Sequence, residues 1–121
     1  MAIYTQLPVY KAGYDLLLDL YVLTKQMDRD YKFTLGEKIK TESTELMLHI
    51  YRANSTYDKK EDLQKAKENI EVIRLLIRVY KDLKQISLKE FVGLSEKIES
   101  LSKQVNAWYA QYTKKEKQLM I

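Results

Sequence analysis

The segment from Asp62 to Gln85, DLQKAKENIEVIRLLIRVYKDLKQ, constrains the fold more than any other stretch. Read as a helix, it is apolar over most of its circumference between Ile70 and Tyr80. Ile70, Ile73, Ile77 and Tyr80 make one seam, and Val72, Leu75, Leu76 and Val79 fill the flank. An ordinary surface helix carries an apolar face of somewhat more than about 100°. The polar remainder here is a narrow strip, Glu71, Arg74, Arg78 and Lys81, at helical intervals, with Lys67 and Lys84 near the same azimuth. A small domain has too little material to cover so wide an apolar surface. The helix is therefore expected to pack on two sides: the seam inside the domain, and Val72, Leu75, Leu76 and Val79 on another copy or another protein.

The rest of the chain predicts three more helices. Pro8 suits a first helical turn, where its missing N–H costs nothing. Val9, Ala12, Gly13, Leu16, Leu17, Leu20, Leu23, Thr24 and Met27 then recur at helical spacing, predicting a helix over about 7–26 after a short extended lead over residues 1–6. Asp15 and Asp19 point away from that seam. Met27-Asp28-Arg29-Asp30 is a brief polar break suited to an αα-hairpin. A second helix is predicted over 31–53, with Leu35, Ile39, Leu46, Ile50 and Ala53 as its seam. Ser43 lies near that seam, where a small residue lets helices approach. Gly36 costs about 1 kcal/mol against Ala inside this helix, which a close neighbour would explain.

Asp58 with Glu61 has capping-box spacing and starts the third helix, 59–85. Ser87 with Glu90 is a second box and starts the fourth, 88–112. That helix carries Phe91, Leu94, Ile98, Leu101, Val105, Trp108 and Tyr112 at alternating gaps of three and four, the spacing of a bundle seam. The tail, 113–121, holds Lys114, Lys115 and Lys117 and is expected to fray. Helices of this length span about 30–40 Å and are joined by short loops. The expected fold is all-α: one domain over 1–121, an up-down-up-down antiparallel four-helix bundle that assembles as a homo-oligomer.

Composition narrows the chemistry. With no Cys among 121 residues, disulfide frameworks and thiolate metal sites are excluded. The N-terminus lacks a basic start followed by an apolar run, and no apolar run reaches the about 18 residues of a membrane span. A cytoplasmic protein with no membrane association is expected. No phosphate-binding Gly-rich loop, nucleophile elbow or zinc-protease motif is present, so no catalytic residue is assigned. His49 is the single histidine, with Glu45 four residues before it. Di-iron bundles use Glu-x-x-His from two helices, and neither that spacing nor a second histidine exists here. No metal and no cofactor are expected, and His49 reads as a partly buried histidine. Glu42 and Glu45 read as a solvated face paired with lysines.

Net charge is +4, with a pI of about 9.1. Arg74, Arg78 and Lys81 are the best basic set, with Lys67 and Lys84 beside them. They interrupt an apolar surface, where guanidinium groups could take phosphate with two donors each. Nearby Glu68, Glu71 and Asp82 offer the plainer reading, a salt-bridged face. The tyrosines Tyr4, Tyr10, Tyr14, Tyr21, Tyr31, Tyr51, Tyr57, Tyr80, Tyr109 and Tyr112 are spread over all four helices. They suit the bundle rim and subunit contacts; bases could also stack on them.

Tyr31-Lys32-Phe33-Thr34-Leu35-Gly36-Glu37-Lys38-Ile39 resembles the aromatic–x–Leu–Gly–x–x–Ile opening of a family of small four-helix proteins. That family includes proteins encoded in intervening sequences of bacterial large ribosomal RNA genes. It also includes the accessory variability determinant, Avd, of diversity-generating retroelements. Leu7-Pro8-Val9-Tyr10-Lys11-Ala12 and Asp15-Leu16 are similar to the family's first helix. Asn69 to Arg78, then Asp82-Leu83 and Ile86 to Lys89, look most like Avd. The intervening-sequence group usually shows paired arginines and an Asn-Ile-Ala-Glu-Gly-like stretch, where this chain has Lys38 to Ser43 and Ile50 to Asn54.

The resemblance covers about residues 7–112. It implies a homopentamer shaped like a barrel, and five copies would carry about +20. It implies a non-enzymatic partner of the retroelement's reverse transcriptase and of RNA or DNA, supporting mutagenic retrohoming. Arg74, Arg78, Lys81, Lys67 and Lys84 are the candidate contacts, though the resemblance itself does not assign them. The rival expectation is an intervening-sequence-type scaffold or oligomerisation protein with no nucleic-acid partner.

Overall fold

A computed structural model describes residues 6–119. Residues 1–5 of the lead expected over 1–6, Tyr4 among them, and the last two residues of the tail lie outside the described residues. Four helices and no strand are present among the described residues. Helix α1 spans Pro8–Lys25. Helix α2 is composite: a turn at Arg29–Tyr31, a π segment at Lys32–Gly36, and a regular stretch at Glu37–Ser55. Helix α3 spans Lys60–Asp82 and α4 spans Leu88–Leu119. The helices pack as a closed circuit, α1 on α2, α2 on α3, α3 on α4 and α4 back on α1.

The seams meet at the centre. Leu16 and Leu20 of α1, Ile39, Leu46 and Ile50 of α2, Ile70, Ile73, Ile77 and Tyr80 of α3, and Ile98, Leu101 and Val105 of α4 are all buried. Each fully buried aliphatic side chain contributes about 1.5–3 kcal/mol relative to exposure. Met27 also belongs to this core although it sits in the hairpin break. Its sulfur would lie 3.1 Å from a Cβ placed on Gly36, so the glycine admits the break against the start of α2. The same holds at Gly13, where a Cβ would come 2.6 Å from Met47 Sδ.

The helix starts differ. Ser87 and Glu90 close a reciprocal box: the Glu90 N–H donates to Ser87 Oγ at 3.1 Å, and the Ser87 N–H donates to Glu90 Oε1 at 3.2 Å. The Asp58 box stays half made. Asp58 Oδ1 accepts from the Lys60 N–H at 3.3 Å, while Glu61 turns along α3 to Lys65 at 2.9 Å. Lys59 closes the other side of this turn by donating from Nζ to the carbonyls of Ala53 and Thr56, which satisfies the end of α2. Burial lowers the Lys59 pKa.

Several expectations need correcting. The second helix is not regular from Tyr31, because the wider π segment intervenes before Glu37. The third helix stops at Asp82, short of Gln85. Lys84 takes a left-handed backbone with φ of 61°, and the Gln85 N–H reaches back to the Tyr80 carbonyl at 3.1 Å, a helix-ending turn usually given to glycine. The tail does not fray at 113: α4 runs on to Leu119. Thr113 to Leu119 contains no Gly or Pro and several good helix formers, and Thr113 Oγ1 donates back to the Tyr109 carbonyl at 3.0 Å.

Candidate functional site

The basic strip falls in the groove between α3 and α4. Arg74 Nη1 donates across it to Glu99 Oε2 at 3.0 Å, and Nη2 lies 3.6 Å from Glu71 on its own helix. Arg78 pairs along α3 with Asp82 at 3.4 Å. Lys81 sits 5.0 Å above the Phe91 ring and 3.9 Å from Asp82. Lys67 lies 4.4 Å above the Tyr109 ring. A hollow of about 430 Å³ opens here, with Arg74, Arg78, Leu75 and Phe91 in its wall.

The structure therefore brings Lys67, Arg74, Arg78 and Lys81 onto one groove. Lys84 is not with them as a helix-face residue, because it lies beyond the end of α3. Each of the three strip cations already has a carboxylate, at modest exposed-pair strength of about 0–1 kcal/mol. A nucleic-acid phosphate would compete with these carboxylates; it carries one negative charge shared over two oxygens, as a carboxylate does, so it is favoured only where several cations converge.

The apolar flank splits. Leu76 packs partly against the chain's own core, and Val72 is half-buried. Leu75 and Val79 remain 60% and 37% exposed. A single chain thus hides more of α3 than its circumference suggested, leaving Leu75 and Val79 as the outward part.

Glu42 is not on a solvated face. It is 7% exposed, accepts from Asn69 Nδ2 at 2.7 Å, and pairs with Lys38 at 3.1 Å. Asn69 is equally buried, and its carbonyl oxygen has no partner. His49 is part-buried, its Nδ1 3.0 Å from Asp62 Oδ1 on α3. Among the described residues no three His, Cys, Asp or Glu side chains converge as metal ligands. No helix among them is long and apolar enough to cross a membrane.

Two features escaped the sequence reading. Tyr14, Leu18 and Tyr21 on α1 and Leu48 and Tyr51 on α2 are exposed, with Lys40 5.8 Å above the Tyr21 ring. The spacing of Tyr10, Tyr14 and Tyr21 along one helix face was the available signal; the first two rings stack at 6.2 Å. Tyr80, by contrast, belongs to the core and not the rim. The second feature is the length of α4, which continues past Tyr112 to Leu119.

An all-helical fold with a cation-lined groove defines a small helical bundle protein. The chain belongs to the bAvd-like family, whose model matches residues 7–112. No curated protein matches the chain.

Proposed function

We propose that this protein is a non-enzymatic accessory factor of a diversity-generating retroelement. It binds the reverse transcriptase and the template RNA or cDNA through a basic surface and supports mutagenic retrohoming. Membership in the bAvd-like family over residues 7–112 is the observation that carries this reading. The groove holding Arg74, Arg78 and Lys81, flanked by Lys67, supplies the candidate contacts, and Lys84 extends the positive charge past the end of α3.

The single domain is an up-down-up-down bundle in this reading. Its support is the pairing order between helices: Gly13 by Met47 and Tyr21 with Thr44, His49 with Asp62 and Glu42 with Asn69, and Gln64 with Tyr109 and Arg74 with Glu99 run in opposite senses along the first three helix pairs. The bundle works as a cytoplasmic homo-oligomer, a pentameric barrel, with Leu75 and Val79 at the subunit contact and the half-buried Val72 and Leu76 at its edge. Leu75 and Val79 are exposed on one side, and the tyrosines of α1 and α2 on another. A ring needs two such unlike patches, because its contacts are head-to-tail.

Electrophoretic mobility shift with structured template RNA at about 50 mM salt tests the role. The wild type binds with strong salt dependence, and the double variant Arg74→Glu, Arg78→Glu binds RNA or polymerase more weakly. Light scattering gives the same oligomer for both. Unchanged affinity removes the strip as the contact. A wild type that binds neither RNA nor polymerase leaves the scaffold role.

A further inference from the structure

At the end of the bundle where α1 and α3 begin, on another face of α4 from the groove, lies a site no sequence pattern marked. Tyr112 is the last α4 residue among those described with a hydrogen bond to another part of the chain, its hydroxyl donating to Asp58, in the turn before α3, at 3.3 Å. Beyond it, Thr113–Leu119 makes no hydrogen bond or ion pair to another helix among the described residues and extends about 10 Å. Lys114, Lys115 and Lys117 are exposed there, and none forms an ion pair among the described residues, unlike Arg74, Arg78 and Lys81.

Helical phase organises these charges. At about 100° per residue, the three lysines fall within about 160° of arc, and Glu116 lies opposite its middle. Gln111 and Ala107 lie within the same arc, about one and two turns back. Both line a hollow of about 570 Å³ walled by Leu7, Pro8, Lys59 and Trp108. Its surface is mainly apolar, and Lys59 Nζ stands 6.0 Å from the Trp108 ring centre. Lys60, in the first turn of α3, adds another exposed cation at this end. Lysines near a helix C-terminus also complement the backbone dipole, but that effect fades within the last turn and needs no apolar hollow in line with it.

We propose that this end of the bundle holds single-stranded nucleic acid, with Lys114, Lys115 and Lys117 on successive phosphates and a nucleobase in the hollow beside Trp108. The inference rests on the nucleic-acid-binding role and deepens it. Cations tracking a backbone beside an apolar, aromatic-walled slot are the elements of sequence-tolerant single-strand binding. Duplex does not fit this description, because its bases are stacked away from such a slot.

The test is titration of the full chain with labelled single-stranded oligo(U) RNA, comparing wild type with Lys114→Glu, Lys115→Glu, Lys117→Glu together. Each phosphate contact on a single strand contributes about 0.7 to the log–log salt slope, so three lost contacts lower it by about 2. The reversal variant should bind at least about ten-fold more weakly at low salt, the corresponding triple Gln variant should fall between, and the circular dichroism melt of both should match wild type. Trp108 is the single tryptophan, so its emission should be quenched as the RNA saturates. Wild-type binding that survives the reversal within about two-fold, or emission that stays constant at saturation, overturns the inference while the accessory role stands on the groove. A wild type that binds no RNA overturns both, starting with the accessory role.

Discussion

Asn69 and Glu42 form a buried polar pair whose energetics can be worked from its geometry. Both are 7% exposed, and the amide donates to the carboxylate at 2.7 Å. The amide's second contact, to Glu45, is 3.5 Å and contributes little. Asn69→Leu removes the donor and leaves Glu42 with Lys38, which is mostly in solvent. A hydrogen bond to a charged group is worth about 1.5–3 kcal/mol, partly offset here because the unpartnered Asn69 carbonyl also disappears. The expected net loss is about 1–2 kcal/mol. Glu42→Leu strands the whole amide and should cost a similar about 1–2 kcal/mol. Replacing both restores an apolar contact between α2 and α3, which is often neutral or stabilising. The double variant should therefore lie within about 1 kcal/mol of wild type. Urea unfolding of the four proteins at one fixed protein concentration measures this. A double variant that loses the sum of the two single losses refutes the coupling.

Two further perturbations follow from the end of α3. Lys84→Gly relieves a left-handed backbone that costs an L-residue about 1–2 kcal/mol; after glycine's greater unfolded entropy, about 0.5–1 kcal/mol of stabilisation should appear in the thermal midpoint. Tyr80 is 1% exposed; burial, then the charges of Asp28 and Glu90, raise its pKa. The unfolded chain then loses the phenolic proton first, so Tyr80's contribution is whole below pH about 10 and declines from there up through the raised folded value. Urea midpoints from pH 9 to 11 should show a smaller decline for Tyr80→Phe than for wild type.

Much of the bundle was legible because the signals were local and repeated. Leu94, Ile98, Leu101 and Val105 are buried as their alternating spacing required, and Ser87 with Glu90 makes the box that their spacing announced. Other features depend on contacts between distant residues. Glu42 looks solvated until α3 brings Asn69 against it. Lys84 looks like one more helix-face cation until the chain must turn toward Ile86, and no glycine warns of that turn. Within the strip, the azimuths of Arg74 and Lys81 were readable, but their facing of Glu99 and Phe91 depends on how α4 docks. The residues of α4 past Tyr112 were misread because a lysine-rich end was equated with fraying, although nothing in it breaks a helix.

The wide turn at Lys32–Gly36 has a consequence for how this chain can change length. A π turn takes up a residue more than an α turn does. Deleting one residue there would let the segment close into an ordinary turn, with Ile39, Leu46, Ile50 and Ala53 still pointing inward. The same deletion between Ile39 and Ala53 would swing every later side chain of α2 by about 100° and drive polar groups into the core. Single-residue gaps among kindred chains should therefore collect at this turn and spare the stretch that follows it.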